Sequence, residues 1–320
     1  MRVLMITCEW PDETRQHLAP FVVRQVEFLR KAGVDVEVFA FRGAKNPMNY
    51  AKAWLCVRRK IRSGMYDLVH AQWGQSGLIA IPTRLPLVVT DRGGEGDTVL
   101  GRILRAIGSW VAHRADELVV VSSHLRRYLP DRPCEVIPSG LDFARLRLVS
   151  VAEARRTLDL PASKPLVLFV GNPDDGRKRY WLAREVFARL PARLDAELLV
   201  VWGVPHERVI TYMNACDALL FTSRWEGSPN VIKEAMACNL PFVSTDVGDV
   251  QERAKGVEGC MVCADDDPQV MASALTVILE RRQRTNGRCA VVDLDESHLA
   301  QQMIAIYRRA LSKAPRAQYA

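Results

Sequence analysis

Short apolar runs alternate with amphipathic stretches along the whole chain, and the two kinds of segment have the lengths of buried strands and of helices. Strands are predicted at residues 2–7, 34–39, 68–70, 87–90, 118–122, 165–170, 198–202, 218–222 and 242–245. Helices are predicted at residues 21–32, 48–62, 77–83, 103–115, 231–237 and 298–311. Regular alternation of strand and helix is typical of parallel sheets with crossover helices, so the predicted class is α/β.

The chain is longer than one ordinary domain, since 320 residues suit two domains of roughly 150 residues each. A polar bridge between residues 149 and 164 separates the two halves. We therefore predict two Rossmann-like, doubly wound parallel-sheet domains that face each other across a cleft, at residues 1–150 and 151–296. No G-x-G-x-x-G pattern follows the first strand, which argues against a nicotinamide cofactor.

Charge is distributed unevenly between the two halves. Residues 1–150 contain 22 Lys and Arg against 15 Asp and Glu, whereas the remaining residues contain 22 of each, so the net charge of +7 belongs to the first half. This excess predicts an anionic partner such as a phosphorylated lipid or a membrane surface. Nucleic acid is not expected, because the chain contains no aromatic and basic stacking motif and no zinc-finger spacing.

The helix predicted from Met48 to Arg62 is rich in basic residues and contains Trp54. It has two interpretations. A basic amphipathic helix can rest on anionic lipid, or it can be an ordinary surface helix that packs one apolar stripe on the sheet.

Several features favour a cytoplasmic protein. Met1 leads directly into a strand, with no charged leader, apolar core segment or cleavage site of a signal peptide. No run approaches the roughly 18 apolar residues of a membrane-spanning helix. The eight cysteines are scattered through apolar patterns, which fits reduced thiols. We expect a cytoplasmic protein that could associate peripherally with the inner face of the membrane.

Two short patterns are candidate metal sites, and both have a simpler interpretation. Cys260 and Cys263 form a lone C-x-x-C with no second pair and no histidine nearby. Asp265, Asp266 and Asp267 could bind a hard cation. Pro268 and a helical pattern follow at once, however, so these aspartates fit a helix cap and the helix dipole better. No metal is predicted.

The most informative stretch runs from Thr222 to Glu252, TSRWEGSPNVIKEAMACNLPFVSTDVGDVQE, and contains Glu226 and Glu234 with seven residues between them. Glu226 and Glu234 flank a turn of Gly227, Ser228, Pro229 and Asn230. Ser228 is predicted as the N-cap of the following helix, with Pro229 at its first position. The helix should end where Asn239, Leu240 and Pro241 begin.

The start of this helix is a candidate binding site. Free backbone N–H groups and the positive end of the helix dipole suit a diphosphate. Asn230 and Glu234 are four residues apart and share a face. Glu234 could accept hydrogen bonds from two ribose hydroxyls, while Glu226 reaches another part of the same ligand. The alternative is a capped surface helix with two solvated glutamates.

A second candidate lies in the first half, where the sequence DRGGEGD follows the strand at 87–90. Loops at the carboxyl ends of parallel strands bind ligands, so Arg92 is expected to border the cleft. Its guanidinium is permanently charged and cannot act as a general base, but it could bind an acceptor phosphate. The alternative is a structural ion pair with Asp91, Glu95 or Asp97.

The run EGSPNVIKEAMACNLPFVSTDVGDVQE resembles the donor-site signature of the group 1 family of retaining glycosyltransferases with the GT-B fold, in particular teichuronic-acid and exopolysaccharide biosynthesis enzymes. The resemblance implies that Glu226 contacts hydroxyls of the donor sugar and that Glu234 binds the ribose of the nucleotide. It also implies an N-terminal acceptor domain, a C-terminal donor domain, and a final helix at 297–314 that crosses back to the first domain.

The same resemblance extends to the turn GNPDDGRKR after the strand at 165–170. In the family this turn carries an arginine directly after the glycine and a lysine six residues further on, and both hold the donor diphosphate. Here Gly171 is followed by Asn172, whereas Lys178 keeps its place. Arg177 or Arg179 could supply the missing charge. The competing interpretation is a solvated run of charges.

Two further points depend on the resemblance. Val204, in the exit of the strand at 198–202, is the candidate contact to the nucleotide base through its backbone. The first loop of the family is often glycine-rich, whereas Leu18, Ala19 and Pro20 occupy it here.

The implied activity is transfer of a hexose from a nucleotide sugar, expected to be UDP-linked, to a lipid-linked or polysaccharide acceptor with retention of configuration. Lys178, Arg177 and the helix start would stabilise the departing diphosphate without metal or another cofactor. Glu226, Lys178 and Arg92 are the residues assigned to catalysis. Two alternatives stay open, a sugar-nucleotide epimerase and a non-catalytic protein that binds nucleotide sugar or lipid for an assembly complex.

Overall fold

The computed structural model describes residues 1–13, 18–43, 46–93, 98–129 and 131–313. The chain divides into two compact units. Unit 1 comprises Met1–Gly140 and the segment that begins at Glu296, and unit 2 comprises Leu141–Asp295. The division after Gly140 lies earlier than the predicted boundary at residue 150.

Unit 1 is built on a six-stranded sheet with the strand order β2-β1-β3-β4-β5-β6, and all its strand pairs are parallel. The elements in chain order are β1 Arg2–Thr7, α1 Pro20–Lys31, β2 Asp35–Ala40, α2 Pro47–Arg62, β3 Leu68–Gln72, α3 Gly74–Leu78, β4 Leu87–Asp91, α4 Val99–Ala112, β5 Glu117–Val120 and β6 Glu135–Val136. A 3-10 helix at Ser123–Tyr128 separates the last two strands.

Unit 2 is built on a five-stranded parallel sheet with the order β11-β10-β9-β7-β8. Its elements are α5 Val151–Thr157, β7 Leu166–Val170, α6 Tyr180–Ala188, β8 Glu197–Val201, α7 His206–Ala215, β9 Ala218–Phe221, α8 Asn230–Ala237, β10 Phe242–Thr245, α9 Val250–Ala254, β11 Cys260–Cys263 and α10 Pro268–Arg281. Short 3-10 helices lie at Ala192–Leu194 and Cys289–Leu294. The last helix, α11 Glu296–Lys313, belongs to unit 1.

Both units are covered by helices on both faces of the sheet. In unit 1, buried residues of α2 and α4 pack on one face, and those of α1 and α11 pack on the other. In unit 2, α7 and α8 contribute to one core, and α6 and α10 contribute to the second. This layering confirms the predicted doubly wound α/β class.

The sequence pattern located most elements correctly and missed some of their ends. Helix α4 begins at Val99 rather than at the predicted residue 103. The reason is the side chain of Thr98, whose Oγ1 accepts a hydrogen bond from the Gly101 N–H at 3.0 Å and so caps an earlier first turn. Helix α2 packs Ala53 and Val57 inward, as the surface-helix interpretation requires.

Within the described ranges, no helix combines the length and the apolarity that a membrane-spanning segment needs.

Candidate functional site

Three loops of unit 2 meet at the carboxyl ends of neighbouring parallel strands. Hydrogen bonds join them directly, because Thr222 Oγ1 donates to the Lys178 carbonyl at 2.8 Å and Thr245 Oγ1 donates to the Ser223 carbonyl at 2.7 Å. These loops follow β7, β9 and β10 and span residues 171–179, 222–229 and 246–249. Ligands of open α/β sheets bind at this edge, so the loops form a candidate site.

Glu226 and Lys178 form the centre of this site. Lys178 Nζ donates to Glu226 Oε1 at 2.6 Å, and Ser223 Oγ donates to the same oxygen at 3.0 Å. Arg177 Nη1 lies 3.7 Å from Glu226 Oε2. Because only 12% of the Glu226 side chain is exposed, the carboxylate is held in a fixed position between two cations and a hydroxyl.

These neighbours also fix the charge of Glu226. Burial on its own raises the pKa of the carboxyl group, but the positive charges of Lys178 and Arg177 and the two hydrogen bonds outweigh burial and lower the pKa below its ordinary value. Glu226 is therefore an anion at neutral pH. It can accept hydrogen bonds from hydroxyl groups, and it cannot donate a proton.

The lowered pKa predicts how stability depends on pH. Compared with Glu226→Gln, the wild-type chain should gain stability from this carboxylate at pH values above the unfolded-state pKa of about 4.3. The gain should disappear as pH falls through the lower folded-state pKa, because protonation removes the attraction to Lys178 and Arg177. Urea unfolding of both proteins at a series of pH values between neutral and acid measures the difference. A difference that grew on acidification would contradict the assignment.

Two glycines permit the close approach of these loops. Gly171 has φ +147°, and a Cβ atom there would lie 3.2 Å from Lys178 Cγ. Gly248 has φ +62°, and its Cβ would lie 2.9 Å from the Gly227 carbonyl oxygen. Side chains at these two positions would displace Lys178 or the backbone beside Glu226.

The sequence did not decide whether Arg177 or Arg179 supplies the charge that is missing at Asn172. The two side chains differ in their surroundings. Arg179 is buried, and its Nε and Nη2 donate to the carbonyls of Thr222 and Ser223 at 2.7 and 3.1 Å. It also forms an ion pair with Asp266. Arg179 thus holds the loops together, whereas Arg177 is the arginine that lies beside Glu226.

Asn172 and Asp267 each stabilise the turn or the helix in which they lie. Asn172 Oδ1 accepts from the Asp174 N–H at 3.0 Å, so its side chain stabilises the turn. Asp267 Oδ1 accepts from the Gln269 N–H at 2.7 Å and caps α10, which confirms the predicted cap. Across the described ranges, no three metal-ligating side chains cluster together.

The start of α8 differs from its prediction. Ser228 is not the N-cap. The helix begins at Asn230, Pro229 occupies the cap position, and no side chain caps it. Ser228 Oγ instead donates to Asp249 Oδ2 at 2.8 Å, and hydrogen bonds to a charged carboxylate such as this buried one are stronger than those between neutral groups. Asn230 Oδ1 is buried, with no hydrogen-bond partner among the described residues.

Glu234 lies one turn inside α8 and is buried. His206 Nε2, at the first residue of α7, donates to Glu234 Oε1 at 2.8 Å. Val204 is half-buried in the loop directly before α7. The sequence had selected Val204 but missed His206, although the segment GVPHERV contains both.

Arg92 lies in unit 1, directly after β4, and is buried. Its Nε and Nη2 donate to Gln72 Oε1 at 2.8 Å and Gln25 Oε1 at 3.0 Å, and its Nη1 donates to Ser139 Oγ at 2.7 Å. The guanidinium carbon lies 4.9 Å from the ring centroid of Phe21. The direct hydrogen-bond partners of this cation are therefore neutral, while the charges of Glu296, Arg24 and Glu9 act on it from further away.

The predicted alternative for Arg92 was an ion pair. Among the described residues, no carboxylate lies within ion-pair distance of its guanidinium, and Asp91 Oδ1 instead accepts from the Gly93 N–H at 2.9 Å. Glu95 and Asp97 lie outside the described residues. Burial lowers the pKa of Arg92 to about 10, so the side chain remains a cation at neutral pH.

The two units match two family models. Residues 2–145 match the model described as Glycosyltransferase Family 4, and residues 167–281 match the model described as Glycosyl transferases group 1. Both units are thus glycosyltransferase domains, unit 2 of the group 1 family and unit 1 of Family 4. The resemblance inferred from the sequence is thereby confirmed.

Curated relatives agree with these family models, and solved structures agree with the fold. The glycosyltransferase is 24% identical to a putative teichuronic acid biosynthesis glycosyltransferase of Bacillus subtilis, over 86% of this chain and 88% of the relative. Sucrose-phosphate synthase from Thermosynechococcus elongatus is similar in structure, with a TM-score of 0.78 and 20% identity over 97% of this chain and 99% of the other. The Anabaena protein HepE in complex with UDP-glucose has a TM-score of 0.68 and 18% identity over 98% of both chains. The predicted GT-B fold is thus confirmed.

Proposed function

We propose that this glycosyltransferase transfers a hexose from a UDP-sugar to a lipid-linked or polysaccharide acceptor, with retention of configuration and without a metal ion. The observation that carries the proposal is the ion pair of Lys178 with the buried Glu226, beside Arg177, at the carboxyl ends of the unit 2 strands. This site combines cations for a diphosphate with a fixed anion for sugar hydroxyls.

The departing UDP carries its new negative charge on the diphosphate. Lys178 and Arg177 supply two positive charges, and the N-terminus of α8 supplies backbone N–H groups. Fixed charges of this kind stabilise a leaving group without solvent reorganisation. Binding of a diphosphate would draw the Lys178 ammonium partly away from Glu226 and release one carboxylate oxygen for the sugar.

The two glutamates would hold the two ends of the donor. Glu226 would accept hydrogen bonds from the hexose, and Glu234 from the ribose hydroxyls. His206 donates to Oε1 of Glu234 at 2.8 Å, so it orients the carboxylate. The Anabaena relative was solved with UDP-glucose, which supports a UDP-sugar as the donor.

Arg92 would bind an anionic group of the acceptor in unit 1. Three of its five N–H groups are bound by neutral side chains, which fix the guanidinium without forming an ion pair with it. A phosphate is an acceptor that such a fixed guanidinium recognises well. A phosphate-linked lipid carrier fits this requirement, and the similarity to a teichuronic acid biosynthesis enzyme supports a cell-surface glycan as the product.

Thermal unfolding in the presence of nucleotides tests the donor. UDP and one UDP-sugar, at about 100 times their dissociation constants, should each stabilise the protein by about 2.7 kcal/mol, with no change on addition of EDTA. Uridine should stabilise far less, because it lacks the diphosphate that Lys178 and Arg177 would bind. Glu234→Gln should reduce the effect of UDP, whereas Lys164→Ala on the protein surface should not. Stabilisation by no nucleotide would contradict the proposal.

A further inference from the structure

We propose that the outer face of α4 in unit 1 binds to the surface of an anionic lipid bilayer. Four exposed apolar residues form one stripe along this helix, which we call the α4 stripe: Val99, Ile103, Ala106 and Trp110. Val99, Ile103 and Trp110 are 67%, 53% and 42% exposed, and Ala106 is also exposed. Their spacing of three and four residues places all of them on one side of the helix.

The stripe lies on the side of α4 that faces away from the core. Val111 and Ala112, on the opposite side, are buried against the sheet. Gly108 packs directly on Gly74 of α3, where a side chain at Gly74 would collide with the Gly108 backbone. The helix is therefore fixed by its inner side, and the exposed apolar side is not needed to hold it in place. Single exposed apolar residues are common, but a continuous stripe marks a contact surface.

Positive charge borders the stripe. The segment from Thr98 to Arg114 contains three arginines and no acidic residue. The Arg114 guanidinium lies 3.7 Å from the ring centroid of Trp110. Arg105 lies 5.4 Å from the ring centroid of Tyr128, which is itself exposed. Aromatic rings beside guanidinium groups suit the boundary between lipid headgroups and acyl chains.

Helix α2 presents a similar surface in the same layer. Ala53 and Val57 of α2 join Val111 and Ala112 of α4 in one core on one face of the sheet, so both helices cover that face. On the outer side of α2, Leu55 is exposed. The helix contains five basic residues and no acidic one. The basic excess of residues 1–150 thus includes both helices.

These features favour an anionic bilayer as the partner of the α4 stripe. Apolar side chains with three arginines in the same segment complement a layer of acyl chains below anionic headgroups. The proposal does not depend on the donor chemistry, because the α4 stripe and the nucleotide-binding residues belong to different units. It extends the proposed function, since a lipid-linked acceptor is found at such a surface.

Flotation with lipid vesicles tests the proposal. The full chain should float with vesicles of equal parts phosphatidylglycerol and phosphatidylcholine, and not with phosphatidylcholine alone. Ile103→Ser/Trp110→Ser should weaken this binding by about tenfold or more. Arg102→Ser/Arg114→Ser should weaken it by about fivefold for each arginine removed, and raised salt should weaken it further.

The matched control is Val292→Ser/Trp181→Ser, which removes a comparably exposed aliphatic and aromatic pair from unit 2, where the side chains are 66% and 61% exposed. Its vesicle binding should equal that of the wild-type chain. Three results would overturn the proposal: no binding of the wild-type chain to the anionic vesicles, equal binding to both kinds of vesicle, or unchanged binding of Ile103→Ser/Trp110→Ser. Self-association that this variant abolishes, without vesicle binding, would assign the stripe to a second copy instead.

Discussion

Replacement of Lys178 with alanine should reduce the rate of sugar transfer by about 100- to 1000-fold, because it removes a positive charge aimed at the leaving diphosphate. The ammonium lies 2.6 Å from Glu226 Oε1, so the same change also removes the main partner of that carboxylate. Both effects act on the reacting end of the donor. Steady-state kinetics with the UDP-sugar identified by thermal stabilisation would measure the loss.

Two further variants distinguish the effect of the lost positive charge from a general loss of folding. Lys178→Arg keeps a cation and should recover part of the activity, although its planar head cannot reproduce the position of the ammonium. Lys164→Ala is the matched control, since Lys164 is a partly exposed lysine of unit 2 that lies 3.6 Å from Asp195. It should retain wild-type activity. A Lys178→Ala protein that is folded and fully active would remove Lys178 from the site.

Arg179→Ala should lower the free energy of unfolding by about 3 kcal/mol. The buried guanidinium holds the Thr222 and Ser223 carbonyls and pairs with Asp266. Its removal takes one donor from each carbonyl, leaving the Ser223 carbonyl with Thr245 Oγ1, and leaves Asp266 without its cation. Donor affinity should fall as well, because the same backbone leads into Glu226. Urea denaturation and UDP binding measure the two effects.

Arg189→Ala provides the comparison for this variant. Arg189 also pairs with a carboxylate, Glu185, at 3.0 Å, but the pair lies at the surface along one helix. Such pairs contribute about 0.3–0.5 kcal/mol. Equal destabilisation by Arg179→Ala and Arg189→Ala would show that the loops after β7 and β9 do not depend on Arg179.

The fold was predictable because its signal is local. Each strand of unit 2 is a short apolar run, and each helix has an apolar stripe, so alternation alone indicates two doubly wound sheets. The start of α8 was not predictable in the same way. Ser228 has the side chain of a good N-cap, but Asp249, which is distant in sequence, takes its hydroxyl. A partner on another loop overrides a local preference.

The same distinction applies to the candidate site. The motif that contains Glu226 and Glu234 is continuous in sequence, and the structure brings Lys178 to Glu226 across 48 residues. His206 could not be assigned, because a single histidine at a helix start has no distinctive pattern until the fold places it against Glu234. Arg177 and Arg179 are neighbours in sequence, and only their tertiary contacts distinguish them.

The most direct test of the central claim is turnover of a UDP-hexose in the presence of EDTA, with a lipid or polysaccharide extract as acceptor and with product configuration read by NMR. We expect UDP release that depends on acceptor, a product with the anomeric configuration of the donor, and loss of both with Glu226→Ala. Binding of UDP without turnover by any acceptor would contradict the claim and indicate a non-catalytic nucleotide-sugar-binding protein.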